Sequence, residues 1–122
     1  MKANIRKFRL SEQFILPYIE KEVPWGPVGY VTFKRTYSRR LNEFSPDAEG
    51  TEEWWQTCRR VIEGMFDMQK QHVYFLGLEW NDSKAQATAK DAYDRLFNLK
   101  WTPPGRGLWM MGTKFVEERT AA

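Results

Sequence analysis

Residues 54 to 66 carry apolar side chains at the spacing of an amphipathic helix. The stripe consists of Trp54, Trp55, Cys58, Val61, Ile62, Met65 and Phe66. These positions recur with the helical period of 3.6 residues and form one continuous face. Thr51 is expected to cap the helix, with Glu52 and Glu53 in its first turn, where the macrodipole favours negative charge. Gly64 interrupts the stripe at a cost of about 1 kcal/mol relative to Ala. The sequence therefore predicts a core built on this helix.

A second amphipathic helix is predicted to begin near Ser83. Ser83 and Gln86 have the S-x-x-Q spacing of a capping box. The side expected to be buried carries Ala85, Ala89, Ala92, Tyr93, Leu96 and Leu99. The intervening residues, 67–82, are apolar in their middle and either extend the first helix or form a tight crossover. Two helices with facing apolar stripes are expected to form an antiparallel pair.

The region before the first stripe is predicted to be less regular. Ser11 is a candidate N-cap for a short helix, which Pro17 would kink or truncate. Its apolar face would carry Phe14, Ile15, Tyr18 and Ile19. Residues 24–30 contain two Pro and two Gly and are typical of a turn-rich connection, whereas alternation across 30–37 predicts a short strand or extended arm. Residues 42–51 have the composition of a loop.

Length and charge limit the class of protein. A chain of 122 residues is long enough for one domain with a buried core. No apolar run approaches the roughly 20 residues of a transmembrane helix, and the segment MKANIRKFRL lacks the apolar core of a signal peptide. A cytoplasmic location is therefore expected. The net charge of +3 is a weak indication of phosphate-bearing ligands, because acidic residues are interspersed with the basic ones.

The single cysteine and the single histidine do not form a site. Cys58 has no second cysteine for an internal disulfide, and Cys58 with His72 falls short of a metal-ligand set. Cys58 lies on the apolar stripe, so we expect a buried thiol that behaves as a small hydrophobic side chain. His72 has no carboxylate at a fixed spacing, and a surface or half-buried structural role is favoured over catalysis.

Residues 102–113, TPPGRGLWMMGT, contain a pattern typical of a helix start. Thr102 would be the N-cap and Pro103 the first helical residue, where the missing N–H of proline does no harm. The free N–H groups at such a start form an anion site, which Arg106 could reinforce. In the alternative interpretation, Thr102 only caps the helix and Arg106 pairs with a nearby carboxylate.

Three pairs of basic residues offer a second functional interpretation. Lys34-Arg35, Arg39-Arg40 and Arg59-Arg60 lie near aromatic residues, a composition found on nucleic-acid-binding faces. Pairs on different elements are more often solvated edges or partner contacts. A small basic helical module that binds nucleic acid or a protein partner therefore remains an alternative. The residues alone provide no nucleophile with a base, no acid pair and no metal ligands, so any reaction needs groups from outside the chain.

Three blocks of sequence resemble the N-terminal region of the adenosylcobalamin-dependent (class II) ribonucleotide reductases. They are WGPVGYVTFKRTYSR at 25–39, EEWWQTCRRVIEG at 52–64 and TPPGRGLWMMGT at 102–113. The chain is most similar to the monomeric ribonucleoside-triphosphate reductases of bacteria and phages. The resemblance implies a mainly α fold, the N-terminal helical domain that packs on a ten-stranded α/β barrel. Residues 1–100 would form the helical region, and residues 101–122 would lead into the barrel, with its first strand near 111–117.

The resemblance also implies a reaction and its components. Ribonucleotides, triphosphates in the most similar branch, would be reduced to deoxyribonucleotides for DNA replication by thiyl-radical chemistry. Adenosylcobalamin would be bound mainly outside this chain, and a second chain with the barrel would supply the catalytic cysteines, re-reduced by a thioredoxin-type protein. This chain would contain no catalytic residue and be inactive alone, as one part of a split enzyme in a bacterium or a phage-infected cell. Thr102 and Arg106 would lie at the phosphate end of the substrate.

Overall fold

The protein is built from four α-helices and two 3₁₀ turns in its described part. The computed structural model describes residues 6–103, 108–109 and 111–113. The helices are α1 (Glu12–Ile15), α2 (Pro27–Thr36), α3 (Trp54–Phe75) and α4 (Asp82–Phe97). The 3₁₀ turns are Leu16–Tyr18 and Leu41–Glu43. The prediction of a mainly helical fold is confirmed, and within these ranges the one β-type pairing is an isolated bridge between Arg40 and Thr51.

The long helix α3 and helix α4 pack as the predicted antiparallel pair. The indole N–H of Trp54, at the start of α3, donates to the carbonyl of Phe97, at the end of α4, over 3.0 Å. One turn away, the hydroxyl of Tyr93 donates to the carbonyl of Trp55 over 3.0 Å. The residues 67–75 extend α3, which runs without interruption to Phe75.

The core combines both helical stripes with aromatic side chains from the N-terminal region. Its buried hydrophobic members are Phe8, Leu10, Ile15, Tyr18, Phe33, Trp54, Cys58, Val61, Ile62, Phe66, Ala85, Ala89, Tyr93, Leu96, Phe97 and Leu108. Edge-to-face ring pairs are frequent, as between Tyr18 and Tyr93, whose centroids are 4.8 Å apart. Such pairs add about 0.5–1.5 kcal/mol each beyond burial alone.

The predicted extended segment at 30–37 is wrong, because residues Pro27–Thr36 form α2. Proline in the first helical turn has its backbone angle already set for a helix, and Gly26 precedes it as the N-cap. Tertiary packing then selects the helix: Phe33 is buried, stacked on Trp25 with centroids 5.4 Å apart, whereas Tyr30 and Val31 are exposed. The alternation that suggested a strand does not correspond to a buried and an exposed face.

The predicted helix starts were displaced by about two residues. Helix α3 is capped by Glu53 in a reciprocal capping box with Gln56, and not by Thr51. Helix α4 is capped by Asn81, whose side-chain oxygen accepts from the Lys84 amide over 3.1 Å, and not by Ser83. In both helices the side chain that is better placed to accept the free amides forms the cap.

The predicted first barrel strand near 111–117 is not formed at the residues of this range that the structure describes. Residues 111–113 form a turn and a bend, and residues 114–117 lie outside the described residues. Among the helices that the structure describes, none is both long enough and apolar enough to cross a bilayer.

Candidate functional site

Thr102 is exposed, in an irregular stretch formed by residues 101–103. Within the predicted helix, Pro103 is not helical, whereas Leu108 and Trp109 are. Arg106 lies outside the described residues. The anion site of Thr102 and Arg106 therefore stays a prediction. What the structure does describe is how the chain is held before and after this segment.

Trp101 anchors the chain immediately before Thr102. Its indole N–H donates to the carbonyl of Ala92 in α4 over 3.1 Å. Leu99 takes a left-handed backbone conformation with φ of 60°, which ends α4 and turns the chain back toward the helix. Beyond residues 104–107, Leu108 is buried in the core. Thr102 is thus presented on the surface between two anchored residues.

A buried ion pair joins Glu52, just before α3, to Arg60 in the second turn of α3. Glu52 and Arg60 are 2% and 8% exposed. The Nε and one terminal nitrogen of Arg60 donate to the two carboxylate oxygens of Glu52 over 2.9 and 3.0 Å. Glu52 also accepts from the Arg39 amide and from the Thr57 hydroxyl, each over 2.9 Å. The carboxylate is therefore fully used inside the protein.

The other N–H groups of Arg60 hold the backbone of residues 108–111. Its guanidinium donates to the carbonyl of Leu108 over 2.7 Å and to that of Met111 over 2.7 Å. A longer bond of 3.3 Å reaches the carbonyl of Trp109. One buried cation thus fixes three carbonyls of this segment. We call residues 108–109 and 111–113 the lead-in segment.

Two glycines allow the lead-in segment to lie directly on α3. A Cβ atom at Gly64 would lie 2.6 Å from the backbone nitrogen of Gly112. A Cβ at Gly112 would lie 2.5 Å from the carbonyl oxygen of Arg60, and Gly112 has φ of 78°, which disfavours other residues. We call Glu52, Arg60, Gly64 and Gly112 the Arg60 clamp.

Arg39 extends the clamp to the surface. Its guanidinium lies over the ring of Trp109, 4.0 Å from the ring centroid, and pairs with the carboxylate of Glu43 over 2.6 Å. Such a cation–π contact stabilises by about 0.5–1 kcal/mol at an exposed site. Trp109 remains partly exposed, so the outer face of the lead-in segment is available for contact.

A cleft of about 420 Å³ lies beside the clamp. Phe44 and Trp55 line it together with Arg59 and Glu63. Glu63 accepts from the Leu10 amide over 2.8 Å and from Arg59 over 3.1 Å, yet burial raises the pKa of its carboxyl group. Because these charges already pair with one another, the cleft offers no free group for an ionic ligand.

Cys58 and His72 have the roles expected from the sequence. Cys58 is fully buried, and burial raises the pKa of its thiol well above the usual value. The predicted position of Cys58 in the core is therefore confirmed. His72 is exposed on α3. In the parts of the chain that the structure describes, no three His, Cys, Asp or Glu side chains are grouped to bind a metal ion.

The basic pairs are used largely within the protein. Lys34 contacts the carbonyl of Glu52 over 2.8 Å and the carboxylate of Glu53 over 3.0 Å. Arg59 pairs with Glu12 and Glu63, and the hydrogen bond to Glu12 raises the pKa of the guanidinium. With Arg39 and Arg60 also paired, only the exposed members of the pairs, Arg35 and Arg40, face solvent.

Sequence reasoning missed the clamp, although a signal for it was present. Glu52 was interpreted as a first-turn acid and Arg60 as part of a basic pair. Thr57, Arg60 and Gly64 share one face of α3, at i, i+3 and i+7. Small residues on either side of an arginine allow a neighbouring backbone to approach closely, and the buried guanidinium then supplies donors for its carbonyls.

Comparison with known proteins identifies the family of this fold. The family model of the ribonucleotide reductase alpha domain matches residues 10–113, which include both α3 and the lead-in segment. The chain belongs to the ribonucleotide reductase alpha family. The resemblance to class II reductases noted from the sequence is confirmed by individual relatives of this alpha-family chain.

Two curated relatives illustrate this. The chain is 36% identical over 121 residues, 98% of its length, to a probable adenosylcobalamin-dependent ribonucleoside-triphosphate reductase of Dictyostelium discoideum. It is 35% identical over 94% of its length to the adenosylcobalamin-dependent ribonucleoside-triphosphate reductase of Lacticaseibacillus paracasei. In each case the chain spans about 15% of the relative's length.

A solved structure supports the same assignment. The crystal structure of a B-12 dependent (class II) ribonucleotide reductase matches this alpha-family chain with a TM-score of 0.73 and 29% identity. The match covers 89% of this chain and 15% of that chain. The described helices are therefore a small part of a class II reductase fold.

The cofactor named for these relatives does not fit the described residues. Clefts of about 300–1,000 Å³ are typical for drug-sized ligands, and a corrinoid with its nucleotide tail is larger than those. The cleft beside the clamp, at about 420 Å³, is therefore too small for adenosylcobalamin.

Proposed function

We propose that this chain forms the N-terminal part of an adenosylcobalamin-dependent ribonucleoside-triphosphate reductase. In this proposal it packs on a catalytic barrel that lies outside these 122 residues, on a second chain, and the cysteines and the cofactor belong to that part. The product is a deoxyribonucleotide, and a thioredoxin-type protein restores the reduced cysteines. The family match and the names of the relatives support the proposal.

The observation that carries the proposal is the Arg60 clamp. Burying an arginine costs free energy that its ion pair and hydrogen bonds must offset. Here those hydrogen bonds fix three carbonyls of a segment beyond α4. In the proposal, residues 1–100 form the helical region and residues 101–122 lead into the barrel. The clamp sets the point at which the chain enters the barrel.

Thr102 and Arg106 are proposed to meet the phosphate end of the substrate. Thr102 is exposed between the Trp101 anchor and the buried Leu108, so its hydroxyl is free to face a ligand. Short backbone segments that are tethered at both ends hold donors in place with little loss of entropy on binding. The chain's contribution to the reaction is thus positioning, with the chemical groups supplied by the barrel.

A chimera tests this proposal. The region of the Lacticaseibacillus paracasei reductase that matches this chain is replaced by the 122 residues, and a second protein lacks that region altogether. We expect the chimera to reduce ribonucleoside triphosphates when adenosylcobalamin is added. The reductase that lacks the matching region, which we call the deleted protein or deleted reductase, should be inactive. A folded chimera with no more activity than the deleted protein would overturn the proposal.

The alternative, a basic module that binds nucleic acid, has less support. Lys34, Arg39, Arg59 and Arg60 are each paired with carboxylates inside the protein. Phosphate contacts would have to break these pairs. Titration with DNA at two salt concentrations distinguishes the two proposals, because binding by such a module would weaken steeply as salt rises.

A further inference from the structure

An uncovered apolar surface lies at the far end of α3. Its members, which we call the apolar tip, are Met68, Phe75, Leu76 and Leu78. Phe75 is 84% exposed, and Leu76 and Leu78 are 55% and 58% exposed. Single exposed apolar side chains are ordinary, but a contiguous group is typical of an interaction surface.

The apolar tip is held in a fixed shape. The Gly77 amide donates to the carbonyl of Tyr74 over 3.0 Å, and the Leu78 amide donates to that of Val73 over 3.1 Å. With φ of 75° at Gly77, these bonds form a Schellman motif that ends α3. The backbone that presents Phe75 and Leu76 is therefore ordered before any partner binds, which lowers the entropic cost of binding.

Two members of the apolar tip, Met68 and Phe75, lie on the face of α3 on which the lead-in segment lies. Gly64, which contacts Gly112, is followed on that face by Met68 and Phe75, at i+4 and i+11. Eleven residues of helix correspond to about 16 Å. Met111 and Gly112 cover this face at Gly64, whereas Met68 and Phe75 are exposed.

We infer that the apolar tip docks on the catalytic part of the reductase, next to the point where the lead-in segment enters it. This inference rests on the proposed function. The chain spans about 15% of the length of its relatives, so most of such an enzyme lies outside it. A catalytic part that is joined to the chain at the lead-in segment would lie next to Met68 and Phe75, on the same face of α3.

The size of the apolar tip favours this partner over a second copy of the chain. The apolar tip has four side chains, whereas a standard interface between two proteins uses about 20–30 residues on each side. A catalytic part that already contacts the lead-in segment needs only a small additional surface, because the effective concentration is high.

Photocrosslinking in the chimera tests the inference without relying on activity. Phe75→p-benzoylphenylalanine is irradiated, and the linked peptides are identified by mass spectrometry. Gln69→p-benzoylphenylalanine is the control, because Gln69 is exposed on a different face of the same helix. We expect position 75 to link to peptides beyond the first 122 residues and position 69 to give few such links. Links from position 75 to a second copy, or none at all, would overturn the inference.

Binding of the free chain to the deleted reductase provides the second measurement. We expect Met68→Glu with Phe75→Glu to weaken binding about 10- to 100-fold, because apolar area is lost from the interface. Gln69→Glu, which adds charge without removing apolar surface, should bind as the unchanged chain does. If the unchanged chain neither binds nor restores activity, the proposed function fails. If it binds and the apolar-tip variant binds equally well, only the docking inference fails.

Discussion

At the scale of single residues, Arg60 is the side chain with the greatest responsibility for the candidate site. Its guanidinium bonds to Glu52 and to three lead-in carbonyls while being 8% exposed. Removing one member of a buried pair leaves an uncompensated charge, whereas removing an exposed arginine changes little. The contribution of an arginine to stability therefore differs widely between the buried Arg60 and an exposed arginine of this chain.

Arg60→Ala is expected to lower the free energy of unfolding by about 3–5 kcal/mol. The loss arises because the carboxylate of Glu52 and the lead-in carbonyls lose their donors. Arg35→Ala, at an exposed position of α2, is the matched control and should change it by about 0.5 kcal/mol or less. Urea unfolding of both variants measures the difference. Equal stabilities would contradict the role given to the clamp.

Burial of Tyr93 should make the free energy of unfolding depend on pH in the alkaline range. The side chain is fully buried, and burial raises the pKa of its phenol above the usual range. The unfolded phenol ionises near pH 10, so above that pH the unfolded state loses a proton that the folded state keeps. Stability should therefore fall by up to about 1.4 kcal/mol per pH unit on this account. Urea unfolding between about pH 9 and 11 should give a smaller slope for Tyr93→Phe; an unchanged slope would show that this phenol is not responsible.

At the scale of elements, the sequence predicted what depends on periodicity and missed what depends on distant contacts. The stripe from Trp54 to Phe66 and the spacing from Ala85 to Leu96 identified α3 and α4, because burial of one helix face repeats every 3.6 residues. Helix α2 was missed because Phe33 is the one deeply buried apolar residue among its described side chains. The ring partners of Phe33 lie outside the helix: Trp25 precedes α2, and Trp54 begins α3. The role of Arg60 depends on residues 48 to 51 positions away, which local patterns do not encode.

Gly64 shows how structure reverses a prediction made from helix propensity. Ala at this position of α3 should gain about 1 kcal/mol over Gly. A Cβ would lie 2.6 Å from the Gly112 nitrogen, and overpacking against backbone costs about 1–3 kcal/mol. We therefore expect Gly64→Ala to destabilise the protein and to increase hydrogen exchange at residues 111–113.

Gly26→Ala is the control for this experiment, because nothing lies within 4 Å of a Cβ built there. Because Gly26 is the N-cap of α2 and Ala is a poorer N-cap than Gly, the change should cost no more than about 1 kcal/mol, through the loss of the cap alone. A Gly64→Ala variant that is more stable than the unchanged protein would mean that the lead-in segment does not lie on α3 as described.

At the scale of the whole molecule, the chain is a helical domain whose core is complete but whose candidate site is not. Aromatic residues from the N-terminal region, α2, α3 and α4 close one core around Tyr93 and Trp54. Three features around this core provide no catalytic side chain: the lead-in segment, the exposed Thr102 and the apolar tip. The family resemblance could be predicted from three sequence blocks. The proposed site at Thr102 and Arg106 would depend on a ligand and a partner, which no sequence pattern in this chain describes.

The most direct test is the rate of deoxyribonucleotide formation when the purified chain is titrated into the Lacticaseibacillus paracasei reductase that lacks its matching region. Substrate, reductant and adenosylcobalamin are held constant. We predict a rate that rises with added chain and saturates at about one chain per deleted reductase, as expected for a stoichiometric complex. A rate that stays at the level of the deleted protein, with the added chain folded by circular dichroism, would contradict the account.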